Sequence, residues 1–289
     1  MKIRNRIWGI CYSLILTAFT GYVLLDTFVI TRIYSTVPTE ESQTSDIDKI
    51  IQEDNDSILI TMTEYREYES NIYVADIQIP SAEYLKTAFA QGAYGKNVTA
   101  KTSETAQNNG AILAINGDYY GSQESGYVLR NGIVYRSTPS QNQEDLVIYA
   151  DGSFAIIKEV EVSTDELLAN GAQQVLSFGP ALVIDDCISV TEGQEVGKAK
   201  ASNPRTAIAI LDELHYLFVV SDGRTNESAG LSLYELAEFL QTLGASTAYN
   251  LDGGGSSTMY FKGEIVNRPT TNGKNIQERS VSDIVYIGY

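Results

Sequence analysis

Three consecutive glycines, Gly253, Gly254 and Gly255, stand between two apolar runs in the segment Asn250-Leu251-Asp252-Gly253-Gly254-Gly255-Ser256-Ser257-Thr258. Glycine loses more backbone freedom on folding than any other residue, so such a triplet persists where the chain needs positive φ or where another group presses on the main chain. Ala245 to Tyr249 ahead of it and Met259-Tyr260-Phe261 behind it read as strands, so one strand ends near Asp252 and another begins beyond Thr258. Exposed peptide N–H groups in a glycine turn form a concavity for anionic oxygen. Ser256 and Ser257 add hydroxyl donors, and Asp252 sets one carboxylate at the rim. The same run also serves as a plain tight turn, with Asp252 accepting bonds from nearby amides. A P-loop is disfavoured, since no Gly-Lys-Ser/Thr follows.

Charge narrows the partners. The 289 residues carry a net charge of −17. Residues 1–34 hold four basic residues (Lys2, Arg4, Arg6, Arg32) against Asp26 alone, so the remainder carries a net charge near −20. Such a surface repels nucleic acid, and phosphate binding on it needs a local cluster of arginines acting against the global field. Cys11 and Cys187 are the two cysteines, the first inside the N-terminal apolar run, so no disulfide staples the remainder; this fits a bacterial surface protein. His215, the one histidine, sits in the strand-like run Leu214 to Val220 and is read as structural. A Ser-His-Asp triad and a multi-histidine zinc site are thereby disfavoured.

No charge interrupts Ile7 to Leu25, and apolar character resumes after Asp26 through Ile30. A helix over this stretch is long enough for a bilayer core of about 30 Å. The basic residues ahead of it place the N-terminus in the cytoplasm. A cleaved signal peptide is the competing reading; the run is long for one and no small-x-small site follows, which favours an uncleaved anchor. Residues 1–34 are therefore expected to be a cytoplasmic N-terminus and transmembrane anchor, residues 35–57 an acidic polar linker, and residues 58–289 an extracellular domain at the cell membrane.

Within that domain, Ile58–Tyr65 and Asn71–Ile79 read as paired strands, Ser81–Ala90 as a helix, and Thr102–Asn109 as a short helix stopped by Gly110. Asn131-Gly132 and Asp151-Gly152 mark hairpins. Ser163-x-x-Glu166 and Ser232-x-x-Glu235 are capping boxes that open helices. The apolar run Ala111–Ile115 stops at Asn116-Gly117-Asp118, and Tyr216–Val220 stops at Ser221-Asp222-Gly223-Arg224. Strand ends of this kind suit one shared pocket. Arg205, fixed behind Pro204 and ahead of the strand Ala207–Leu211, is placed for a rigid anion contact. The class expected is α+β: a strand-rich single domain with mixed or antiparallel sheet and a few short helices, preceded by one transmembrane helix.

Seven motifs, spread over roughly residues 100 to 289, together resemble the phosphodiester glycosidase family. They are Ala114-Ile115-Asn116-Gly117-Asp118-Tyr119-Tyr120, Arg130-Asn131-Gly132, Ser177-Phe178-Gly179-Pro180-Ala181-Leu182, Asn203-Pro204-Arg205-Thr206-Ala207, Asp222-Gly223-Arg224, Asn250 to Thr258, and Arg279-Ser280-Val281-Ser282-Asp283. The resemblance implies hydrolysis of the bond between a sugar anomeric carbon and a phosphodiester oxygen. A phosphodiester anion leaves with little protonation, so such a site mainly holds the anion and stabilises oxocarbenium-like charge. On this reading Arg205, with Arg224 or Arg279, the amides of Gly253, Gly254 and Gly255 and the Ser256 hydroxyl, holds the phosphate. Asp252 is nucleophile, general base or electrostatic stabiliser, Asp222 is the second carboxylate, and Asn116 and Asn250 orient sugar hydroxyls. Asp118 departs from the family's commoner Asn-Gly-Gly. Tyr119 or Tyr120 suits stacking on a sugar ring. No cofactor is expected; Ca²⁺ on Asp252 or Asp222 would lack any EF-hand-like spacing. The expected partners are a sugar-phosphodiester or glycan of the envelope or an exopolysaccharide, and the membrane through residues 7–30. A non-catalytic module binding phosphorylated glycans, and an envelope protein whose motifs merely make turns, are the alternatives.

Overall fold

Runs of apolar residues without a helical period become strands buried on both faces, and the pleat sends successive side chains to opposite sides. In the strand Ser70–Gln78, Ile72 and Val74 enter one core while Tyr73, Ala75 and Ile77 enter another. This strand belongs to a seven-stranded sheet ordered 187–188, 181–184, 247–251, 205–212, 215–221, 70–78, 59–67. The helix Leu233–Thr242 covers one face with Leu233, Leu236, Ala237, Phe239 and Leu240. Two five-stranded sheets close the opposite face: residues 154–158, 144–149, 172–176, 128–130, 133–136, and residues 264–265, 259–261, 113–116, 283–287, 85–89. The computed structural model describes residues 2–37, 57–196 and 202–289. Every strand pair among them is antiparallel. Most of the expected acidic linker, residues 38–56, lies outside the described residues.

The N-terminal helix runs Lys2–Phe28, and its stretch Ile10–Phe28 has a mean hydropathy of 1.4, long and apolar enough by length and composition to cross a bilayer. After three intervening residues, Arg32–Thr36 forms a strand paired with Ala93–Lys96, so the folded body takes in residues ahead of the acidic stretch.

Several local expectations hold. Ser232 accepts from the Glu235 amide while the Glu235 carboxylate accepts from Ser232, a complete capping box. Asn131 and Gly132 both take positive φ, as their tight hairpin requires. The helix expected over Ser81–Ala90 is a correction: the chain makes one 3-10 turn at Ala82–Tyr84 and then the strand Leu85–Phe89. Leu85, Thr87 and Phe89 point inward at every second position, and the strand pairs along its length with Asp283–Ile287. Long-range pairing outweighed a helix-prone local composition.

Antiparallel register gathers the expected strand ends. Arg205 lies opposite Ser221 and Thr206 opposite Leu251, so Arg205, Asp222 and Asp252 share one edge of the large sheet. The strand Leu113–Asn116 reaches the same edge, where Asn116 Nδ2 donates to the Asp252 carbonyl at 2.6 Å.

Candidate active site

Each glycine of the triplet answers a neighbour. Gly254 has φ +63°, a conformation that L side chains rarely adopt, and a Cβ there would stand 2.7 Å from Arg224 Nη2. A Cβ on Gly255 would meet Thr271 Oγ1 at 2.4 Å. The turn lies at the wall of a cleft of about 790 Å³. Asp252, Gly253, Gly254, Arg205, Arg224 and Arg279 all line it, so the register brings together one carboxylate, three guanidiniums and two of the glycines.

Asp252 is held in place. Its Oδ2 accepts from the Ser256 hydroxyl at 2.5 Å and from Arg279 Nη2 at 3.0 Å, while Arg279 Nε donates to Ser256 Oγ at 2.9 Å. Burial pushes the Asp252 carboxyl above its ordinary range; the Arg279 charge, the Ser256 hydroxyl and the Gly253 amide act in the opposite direction. The Asp252 side chain is 13% exposed, enough to face a ligand while sheltered from bulk water.

The arginines differ in how firmly they are tied. Arg205 is buried, with Nε donating to the Leu231 carbonyl at 2.8 Å and Nη2 paired with Glu195. Arg224 donates from Nε and Nη2 to Asn203 Oδ1 and from Nη1 to the Thr271 carbonyl, and its own φ is +63°. Its guanidinium is pushed below its usual range by burial first, and then by the charges of Arg279 and Arg205. Clustered cations of this kind are relieved by an incoming anion.

Other expected site residues stand beneath the cleft wall. Asp222 is buried; its Oδ1 accepts from the Arg268 amide at 2.8 Å and from Asn267 Nδ2 at 3.2 Å, and its Oδ2 accepts from the Tyr73 hydroxyl at 3.3 Å. Burial raises it. Asn116 is fully buried and bolts three segments together: it donates to the Asp252 carbonyl and accepts from Thr206 Oγ1 and the Thr258 amide. Asn250 donates to the Gly179 carbonyl at 2.7 Å. Gly255 is packed on Thr271, Ser256 serves Asp252, and the Gly254 amide donates to the Pro204 carbonyl, so the glycine amides are partly committed within the protein. Tyr120 is buried in an aromatic cluster and Tyr119 is exposed, and neither lines the cleft.

Sequence reasoning missed two groups. Glu195 bridges the Arg205 guanidinium and the Leu233 amide, and a lone glutamate in a polar loop carries no signal of that role. Arg130, read as part of a hairpin, is 2% exposed and pairs at once with Asp118 at 2.8 Å and Asp283 at 2.7 Å. Asp118 Oδ2 also accepts from the Ser177 amide, which fixes the loop carrying Phe178 into the cleft. An arginine placed straight after Val128-Leu129 was the available signal. Among the described residues, no group of three His, Cys, Asp or Glu side chains could hold a metal ion.

The family model of the phosphodiester glycosidases matches residues 109–288, well over half of the chain. The chain belongs to the phosphodiester glycosidase family. The match contains the cleft residues Arg205, Arg224, Asp252, Gly253, Gly254 and Arg279. Among curated relatives, mouse N-acetylglucosamine-1-phosphodiester alpha-N-acetylglucosaminidase is 29% identical over 188 residues, covering 59% of this chain and 36% of that protein. The SPbeta prophage-derived uncharacterized protein YomE of Bacillus subtilis is 27% identical over 189 residues, covering 64% of this chain and 29% of that protein. The chain thus spans about a third of the length of these relatives. Among solved structures, the zebrafish N-acetylglucosamine-1-phosphodiester alpha-N-acetylglucosaminidase catalytic domain, auto-inhibited by its pro-peptide, superposes with a TM-score of 0.66 at 20% identity, covering 90% of this chain and 88% of that one. The strand-rich α+β class is the fold of that phosphodiester glycosidase domain.

Proposed function

We propose that this chain is a hydrolase that cleaves the glycosidic bond of sugar-1-phosphodiesters, N-acetylglucosamine-1-phosphodiesters among them. The observation that carries the reading is the meeting of Asp252 with Arg205, Arg224 and Arg279 around one cleft. The three guanidiniums hold the phosphodiester anion and disperse the charge that gathers on its leaving oxygen. Among the described residues Asp252 is the one carboxylate lining the cleft, and a phosphodiester leaving group needs no general acid. Water attacks the anomeric carbon as the C1–O bond to phosphate breaks; the electron pair departs on the phosphate oxygen and the water proton passes to Asp252. The products are a free sugar and a phosphomonoester. No metal or other cofactor enters these steps.

Family membership and the apolar N-terminal helix support a further reading: the chain is held at a cell membrane by residues 7–30, with its N-terminus inside and the domain outside, acting on envelope or exopolysaccharide glycans. The test is release of free sugar from UDP-N-acetylglucosamine or a synthetic sugar-1-phosphodiester, wild type beside Asp252→Asn. The variant is expected to bind ligand with unchanged affinity and to lose turnover by roughly 10²-fold or more. Binding without turnover in the wild type would instead identify a glycan-binding module.

A further inference from the structure

The junction between the N-terminal helix and the folded body is built, not loose. Asn97, at φ +57°, donates from Nδ2 to the Thr27 carbonyl at 3.3 Å and the Ile30 carbonyl at 3.0 Å, groups left open where the helix ends. Thr31 Oγ1 donates in return to the Asn97 carbonyl at 3.3 Å. Arg32 pairs with Asp26, and the strand Arg32–Thr36 lies against Ala93–Lys96. Gly95 admits the close approach: a Cβ there would stand 2.0 Å from the Arg32 carbonyl oxygen. The Tyr34 and Tyr94 rings pack at 5.8 Å. The helix is thus clamped to the edge formed by residues 93–97.

The 19 residues Ile10–Phe28 span about 28 Å as a helix, close to the hydrocarbon thickness of a bilayer. With that segment in a membrane, Asn97 lies at the headgroup level, beside the exposed Ile33 and Tyr34 and the cations Arg32 and Lys96. From Asn97 the chain runs three residues to Ala100, which bridges to Val281, two residues from Arg279. Arg279 of the cleft therefore stands no more than about 23 Å from Asn97, which keeps the cleft within that reach of the headgroup level. Meanwhile a body with a net charge near −20 repels free anionic diesters arriving from solution.

We propose that the substrate is a glycosyl-1-phosphodiester whose second ester is to a membrane lipid, offered to the cleft because residues 93–97 dock the body on the bilayer. This rests on the hydrolase reading above and names its substrate class. A lipid-borne anion shares the enzyme's surface and meets the cleft at high effective concentration, which offsets the repulsion that excludes its soluble counterparts.

The test uses the full chain reconstituted in phosphatidylcholine vesicles, with N-acetylglucosamine-1-phosphate esterified either to a long-chain polyprenol in the same vesicles or to methanol in solution. The polyprenyl ester is expected to be hydrolysed at least about tenfold faster at equal bulk concentration. A Gly/Ser insertion of about twelve residues between Ile30 and Thr31, whose ends lie roughly 19 Å apart on average, frees the body from its dock. It is expected to leave methyl-ester turnover unchanged, which reports intact folding, and to cut polyprenyl-ester turnover by about tenfold. Equal wild-type rates on the two esters, or an insertion without effect on the polyprenyl ester, would overturn the proposal. Hydrolysis of the methyl ester alone sinks this inference and leaves the hydrolase reading standing; hydrolysis of neither ester removes both.

Discussion

Replacing Arg130 by Met removes the cation between two buried carboxylates while keeping an unbranched side chain. Arg130 Nη2 lies 2.8 Å from Asp118 Oδ2 and 2.7 Å from Asp283 Oδ2, all three side chains being 2% exposed or less. The two oxygens are therefore at most about 5.5 Å apart, where unit charges at an effective dielectric of about 20 repel by about 3 kcal/mol. Stripping one partner from a buried pair costs about 3–5 kcal/mol by itself. The variant is expected to lose that amount at pH 8, lowering Tm by roughly 6–20 °C. Without the cation, one carboxyl keeps its proton in the folded state, so its folded pKa rises above the unfolded value of about 4. The folded state then binds more protons than the unfolded one, and the stability so gained is present at low pH and lost as pH rises through the folded pKa. Burial and the Asp118 charge already push Asp283 upward in the wild type, although Arg130 opposes them. Urea unfolding followed by circular dichroism should accordingly show a smaller deficit at pH 5 than at pH 8. Adding Asp118→Asn to the Arg130→Met background should restore part of the loss. A deficit below about 1 kcal/mol at pH 8, or one unchanged between the two pH values, would refute the electrostatic account.

Asp252 must be ionised to take a proton, and burial raises its pKa, so the acid limb of kcat/KM should fall above the ordinary carboxylate range; a limb near pH 4 would assign it to another group. Direct attack by water predicts an inverted anomer as the first product by NMR, whereas retention would make Asp252 the nucleophile. In Gly254→Ala the new Cβ displaces the Arg224 guanidinium, so kcat should fall and KM should rise, each several-fold; an unchanged kcat/KM would remove Arg224 from the phosphate site. Ser232→Ala breaks the capping box and should cost about 1 kcal/mol in unfolding free energy, with activity per folded molecule unchanged.

What could be read from the sequence was local and directional. Serine and glutamate three apart opened the helix at Leu233, Asn-Gly closed the hairpin at residue 131, and apolar runs ending in polar residues and glycine marked the edge where the cleft lies. The strand Leu85–Phe89 was hidden because its partner, Asp283–Ile287, lies about two hundred residues downstream, and only that partner decides between period 2 and a helix. Within the site, Asp252 and the three arginines could be found because they flank turns that open outward. Asp222 and Asn116 stand at the same strand ends, yet their side chains point inward to Asn267, Tyr73 and Thr206. Which way a terminal residue faces depends on the pleat and on segments far away in the chain. Glu195 and the Arg130 triad depend on three-way meetings that no local pattern announces.

The place of Asp283–Ile287 also sets an order of events. Coming far later in the chain, it is inserted between Leu85–Phe89 and Leu113–Asn116, two strands made much earlier. A chain emerging from its N-terminus keeps the facing edges of both open until residues 283–287 arrive, and such distant pairing is slow to form. This sheet therefore closes only after residues 283–287 are made, and until they pair its two facing edges need protection from other chains.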